Sequence, residues 1–249
     1  MADKILAAMR PQPQWSAVDV YASNSDIYAD PRMVERVDYR RRFKRHRPRT
    51  SATILAPHGG GIEFGTSELC LAIAGYHPAT RVPIGQTYDY WMFEGLRSYA
   101  NDLLHVTSSN CDDRVALEMV SESSHALGLH GCTAVAAGLP DYARAVLVGG
   151  RDAVLRGLLL TRLRRAGFQA IDAIDHPELG GYDRTNIANR TSRKRGAQLE
   201  LTTPLRAAMF ETNTRSERKT STTAVFWDFV AATRCAIAAT RPGRQQSQN

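Results

Sequence analysis

The chain has 249 residues, 43% of them apolar, and a formal charge of +7, which suits one large α/β domain with its own core and excludes wholesale disorder. No apolar run reaches membrane-spanning length and the opening MADKILAAMRPQPQW lacks a signal-peptide core, so the sequence predicts a soluble cytoplasmic protein with no membrane partner. The four cysteines, Cys70, Cys111, Cys132 and Cys235, are widely spaced and form no CxxC pair, which favours buried free thiols of a reducing compartment over disulfides or a zinc ribbon.

Residues 1–34 are mixed in character and interrupted by proline, and read as a peripheral N-terminal segment ahead of a domain over 35–240. VDYRRRF (37–43) alternates as an exposed strand and opens the basic run Arg40 to Arg49, which holds seven Arg and Lys and no acid. Such a run serves as a solvated strand or loop, a nucleic-acid contact or an attractor for an acidic substrate. No zinc-finger, RNA-recognition or helix-turn-helix signature accompanies it, which argues against nucleic acid. ATILAP (52–57) is a short apolar run that reads as a buried strand ended by the glycines that follow. GTSELCLAIAG (65–75) has hydroxyl residues and an acid where a helix begins. YDYWMFEG (88–95) reads as a strand, DDRVALEMVSES (112–123) as a helix and HALGLHG (125–131) as a strand.

The alternation continues in the second half. ARAVLVGG (143–150) is a strand ending in two glycines, and 151–167 a helix with Leu155, Leu158, Leu159 and Leu163 on one face. Arg162, Arg164 and Arg165 in its last turn suit the helix dipole. FQAIDAI (168–174) and AQLELT (197–202) read as further strands. A long helix is expected over 217–240, with Val225, Phe226, Phe229 and Ile237 facing the core, followed by a disordered tail at 241–249. No linker or repeat divides the chain. The pattern predicts a single α/β domain with a mixed or largely parallel sheet flanked by helices.

Three polar residues interrupt apolar strands at comparable places: His58 after ILAP, His130 after ALGL and Glu200 within QLEL. In open α/β sheets such groups gather at the carboxyl ends of the strands. Unpaired they are costly to bury. In APHGGGIEFGTSEL (56–69), His58 and Glu63 flank three glycines. Two His and one Glu are a common ligand set for one catalytic zinc ion, which leaves a position open for water. His58, Glu63 and His130 provide that set, and Glu200 then suits a general base. A Gly-rich turn beside a satisfied core histidine accounts for the same spacing, so both readings stand on the residues alone. No GxSxG occurs, and Cys132 has no nucleophile signature.

The stretches APHGGGIEFGTSEL, MFEGL (92–96), LHVTSSNCDD (104–113), LGLHGC (127–132), VLVGGRD (146–152), NIANR (186–190) and GAQLELT (196–202) resemble, in that order, the poly-γ-glutamate hydrolase family. These are phage-type zinc enzymes related to the zinc carboxypeptidases, and the resemblance covers roughly residues 35 to 210. It implies a zinc-carboxypeptidase-like fold and one Zn2+ ion held by His58, Glu63 and His130. It implies Glu200 as the catalytic glutamate and Asn189 with Arg190 as the pair that holds a substrate carboxylate. The implied substrate is polyanionic poly-γ-glutamate. A zinc deacylase or carboxypeptidase acting on small acyl-glutamate or peptide substrates is the alternative, and a non-catalytic polyanion-binding protein using Arg40–Arg49 is the reading from another class. Carboxypeptidases use a shorter H-x-x-E spacing, whereas four residues separate His58 from Glu63.

Overall fold

Seven strands form one mixed sheet in the computed structural model, which describes residues 19–240. The expected tail and the first eighteen residues lie outside that range. The strands are β1 (Tyr39–Lys44), β2 (Ala52–Gly60), β3 (Asp89–Gly95), β4 (His125–Cys132), β5 (Ala145–Gly149), β6 (Gln169–Asp172) and β7 (Ala197–Thr202). Their spatial order is β1-β3-β2-β4-β7-β5-β6. The central four, β3, β2, β4 and β7, run parallel, β1 pairs antiparallel with β3, and β5 pairs antiparallel with β7 and parallel with β6.

Strands β2, β3, β4, β5 and β7 are buried along their whole length, as expected of a sheet covered on both faces. The helices are α1 (Asn24–Ala29), α2 (Thr66–Ile73), α3 (Arg114–Glu122), α4 (Ala153–Arg165), α5 (Thr203–Ala208) and α6 (Ala224–Ala238). Alternate residues of β2 and β3 point into two separate cores. Ile54 and Met92 join Leu69 of α2, Leu159 of α4 and Phe229 of α6 on one face, whereas Leu55 and Trp91 join Ile27 of α1 and Met119 of α3 on the other. Residues 19–34 therefore dock through fully buried Ile27, with Ser23 capping α1 by accepting from the Asp26 N–H.

Local sequence explains most boundaries. Asp113 and Asp152 cap α3 and α4 by accepting from the Ala116 and Leu155 amides. On α4 the buried leucines are Leu155, Leu159, Leu160 and Leu163, with Leu158 partly buried. Two boundaries differ from expectation. Strand β2 runs on through Gly59 and Gly60 instead of ending at Pro57, because both glycines lie close against the β3 backbone. Helix α6 begins at Ala224, seven residues late: Arg218 donates to the Gly60 carbonyl at 2.9 Å and Thr222 bridges to Phe210, which holds 217–222 away from the helix.

The basic run lies on edge strand β1 and the connection after it, and acids occupy most of it. Buried Glu94 of β3 pairs with Arg42 at 2.6 Å and Arg40 at 2.9 Å. Arg41 pairs with Glu35, and Arg45 and Arg49 with Glu122. Charge pairing fixes this edge to its neighbours. Cys70, Cys111 and Cys132 are buried free thiols and Cys235 an exposed one. Among the described residues no helix is long and apolar enough to cross a membrane.

Candidate metal centre and catalytic cavity

His58 sits near the carboxyl end of β2, where the register with β3 slips between Ala56 and Gly59. Such irregularities re-aim a side chain. Gly60, at φ 68°, turns the chain in a conformation that strains any residue with a Cβ, and the Gly61 N–H donates to Gly95 O at 2.9 Å. The Glu63 N–H then donates to His58 O at 2.8 Å and closes the loop. The three glycines thus return the chain so that Glu63 Oε1 lies 2.9 Å from His58 Nδ1. Glu63 stands in this loop, ahead of α2, whose first residue Thr66 donates its hydroxyl to Glu63 O. Gly65, at φ 90°, lies between Glu63 and the helix as its cap.

His130 and Glu200 are register partners on β4 and β7. With His58 they stand toward the carboxyl ends of three consecutive parallel strands, β2, β4 and β7. His130 Nδ1 lies 3.2 Å from His58 Nδ1 and 3.8 Å from Glu63 Oε2. The other Glu63 oxygen contact is fixed by the backbone, as the Gly131 N–H donates to Oε2 at 2.8 Å. All four side chains are buried and line one cavity of about 370 Å3.

His58 Nε2 lies 2.8 Å from Val106 O, an acceptor only, so Nε2 carries the hydrogen. The Nδ1 lone pair, the Glu63 carboxylate and His130 Nδ1 then face one another and call for a proton or a cation among them. Two imidazole nitrogens and one carboxylate fit a divalent metal of borderline softness such as zinc. The carbonyl on Nε2 is the kind of outer partner that orients a ligating histidine.

A third histidine enters the cluster. His105 Nε2 lies 4.0 Å from Glu63 Oε1, its ring centroid is 3.9 Å from that of His58, and Asp19 holds its Nδ1 at 2.7 Å. The ligand-competent atoms of His58, Glu63 and His105 all lie within 4.8 Å of one another. His105 lies within LHVTSSNCDD (104–113) but nothing in its spacing marks it as a site residue, and Asp19 is distant in sequence. Only the tertiary fold brings them in.

Electrostatics separates these groups. Burial lowers the His58 pKa, but the Glu63 charge and hydrogen bond outweigh it and hold His58 above the ordinary imidazole value. Glu63 is pushed down to about 2: burial raises it, and the charges of His58, His130 and His105 prevail. Burial brings His130 down to about 3. Burial, then the nearby Glu63 charge, holds Glu200 well above the usual carboxylate range, while Gln198 Nε2 donates to its Oε1 at 3.1 Å. Two nearby carboxyls thus have opposed proton affinities, set by their different surroundings. Burial pushes the Cys132 thiol up, so it is not a thiolate at neutral pH.

Arg206 of α5, fully buried, ties the three contributing segments together. Its guanidinium donates to Phe64 O beside Glu63, to Cys132 O on the His130 strand and to Leu201 O beside Glu200, at 3.0, 3.3 and 3.1 Å. It also lies over the Phe64 ring, 4.4 Å from its centroid. A Cβ at Gly131 would meet this guanidinium, so a larger residue there would push it off these carbonyls.

Asn189 and Arg190 do not line the cavity. Asn189 Oδ1 accepts from the Arg151 and Gly196 amides, and Nδ2 donates to Gly181 O and Asp183 O, so its polar atoms are occupied by backbone. Arg190 donates to Thr185 O and Ser109 O and faces an adjoining groove. Asn186 and Gln198 line the cavity instead, bonded to each other at 3.0 Å.

Residues 31–232 match the profile of the poly-gamma-glutamate hydrolase family. The chain is 35% identical over 178 residues to YoqZ, an SPbeta prophage-derived protein of Bacillus subtilis, covering 72% of this chain and 58% of that protein. It is 32% identical to YndL of the same organism, over 71% of this chain and 63% of that protein. It thus spans about three fifths of the length of these two relatives. Among solved structures, a bacteriophage poly-gamma-glutamate hydrolase superposes with a TM-score of 0.76 at 31% identity, over 89% of this chain and 98% of that one. A zinc-free apo structure of YndL gives 0.76 at 28% identity, over 90% and 100%.

Proposed function

The chain belongs to the poly-gamma-glutamate hydrolase family, and on that premise we propose that it hydrolyses the γ-glutamyl amide linkages of poly-γ-glutamate with zinc as cofactor. The convergence of His58, Glu63, His130 and Glu200 on one cavity carries this reading. One zinc ion would be held by His58, Glu63 and His130. When bound, it would polarise the amide carbonyl and lower the pKa of a water molecule. That the apo form of the similar YndL is a zinc-free one supports zinc as the metal.

The chain's own groups do the rest. Glu200 takes the proton as water attacks the carbonyl carbon and delivers it to the departing nitrogen, a role suited by its elevated proton affinity. Gln198 fixes the Glu200 carboxyl by donating to Oε1. Val106 O holds the proton on His58 Nε2, and Asp19 orients His105 beside Glu63. Asn189 steadies the Gly181–Asp183 wall, while Arg190 grips a substrate carboxylate from outside the cavity.

Glu200→Gln is expected to retain zinc by elemental analysis while hydrolysis falls by about 10²–10⁴-fold. Retained turnover would remove the assignment of the base. His58→Ala is expected to lose zinc, and an unchanged zinc content would remove that ligand.

A further inference from the structure

Four acids, Glu63, Glu178, Asp183 and Glu200, line the catalytic cavity and no Arg or Lys does. A polyanion needs compensating charge, and it lies next door. Beyond the Gly181–Asp183 wall is an open groove of about 1100 Å3 lined mainly by arginine and lysine. Two of its cations are held by acids, Arg156 by Asp172 at 3.2 Å and Arg193 by Asp152 at 3.1 Å. Five more, Arg151, Arg184, Arg190, Lys194 and Arg195, form no ion pair with any described residue. The single acid in the lining, Glu118, is already paired with Arg114 at 3.0 Å.

Groove and cavity share a wall. Tyr182 lines both. Arg151 donates to Tyr182 O at 3.2 Å, and Arg190 to the carbonyl of Ser109, which lines the cavity, at 3.5 Å. A chain leaving the cavity over Tyr182 would enter the cationic groove.

We propose that this groove seats consecutive carboxylates of the poly-γ-glutamate chain beside the bond being cut, with Arg151 and Arg190 at the junction and Arg184, Lys194 and Arg195 farther out. The assignment rests on the hydrolase reading above. γ-Linked glutamate leaves one free carboxylate per residue, and guanidinium forks bind carboxylates bidentately. Crowded like charges repel unless a polyanion neutralises them. Nucleic acid suits the groove less well, because single strands stack their bases on aromatic rings. Tyr182 is the one aromatic in the lining, and the Arg156 guanidinium lies 5.9 Å from its ring centroid.

The test is binding of fluorescein-labelled poly-γ-glutamate, read by anisotropy on the full chain carrying Glu200→Gln so that the polymer persists. Adding Arg184→Gln, Lys194→Gln and Arg195→Gln, all exposed positions, is expected to raise Kd at least about tenfold and to flatten its dependence on salt. The conservative set Arg184→Lys, Lys194→Arg and Arg195→Lys restores binding to within about threefold, which a general loss of folding would not allow. Equal binding by the neutralised and parent chains would overturn the assignment. So would tighter binding of single-stranded DNA than of polyglutamate, abolished by the same substitutions. If the chain without Glu200→Gln fails to hydrolyse the polymer while neutralisation still weakens its binding, the hydrolase reading falls and the groove stands.

Discussion

Glu63 and Glu200 lie in one cavity and are pushed in opposite directions, so they affect stability with opposite signs. Glu63 lies near 2, below the ordinary 4.5. Its contribution is present above the unfolded value and lost as pH falls from about 4.5 toward 2. Glu200 is raised above 4.5, so its contribution is present below that value and lost as pH rises through the folded pKa. The chelated Glu200→Gln variant is therefore expected to melt several degrees above the chelated parent at pH 8. The gap should close below about pH 4.5, where the carboxyl is neutral in both states. Thermal melts across pH check this, and a gap independent of pH would contradict it. At this scale the meeting of His58, His130 and Glu200 was readable because each interrupts or directly follows an apolar strand, and that of Glu63 because it flanks the same three glycines as His58. His105 and Asp19 were not, as loop residues carry no periodicity that marks their direction. Arg190 was placed in a carboxylate-binding pair by family pattern, whereas its position beside the cavity depends on how 181–190 folds.

Among the elements, β1 shows why charge alone is a poor guide to partners. The run Arg40–Arg49 reads as free positive charge in one dimension. In the sheet, antiparallel pairing puts Arg40 opposite Glu94, and Arg42 reaches the same carboxylate. Burial raises the Glu94 pKa, yet hydrogen bonding and charge from Arg42 hold it below the ordinary value. Glu94→Gln is expected to cost about 2 kcal/mol, less than the 3–5 kcal/mol of a fully buried pair because Arg40 is 41% exposed. Urea unfolding measures it, and a change below about 0.5 kcal/mol, typical of surface substitutions, would show that the edge is not fixed by this pairing. Strands were readable from short apolar runs bounded by Gly and Pro. The extension of β2 through Gly60 and the late start of α6 were not, since both follow from contacts with distant segments: the β3 backbone for the glycines, and Gly60 O for Arg218.

For the whole molecule, alternation of strands and helices predicted one α/β domain, and a single seven-stranded mixed sheet is what forms. The reversal of β5 and β6, which both run antiparallel to β7, was not readable, because strand order depends on which long connections cross the sheet. That order matters for function: it leaves β2, β4 and β7 as parallel neighbours whose carboxyl ends carry His58, His130 and Glu200. The most direct test of a zinc hydrolase of poly-γ-glutamate is the size distribution of the polymer after incubation with chelated protein and with the same protein reloaded with one equivalent of zinc. Intact polymer is expected in the first case and short γ-linked fragments in the second; undiminished cleavage after chelation, or intact polymer with zinc bound, would contradict a zinc hydrolase.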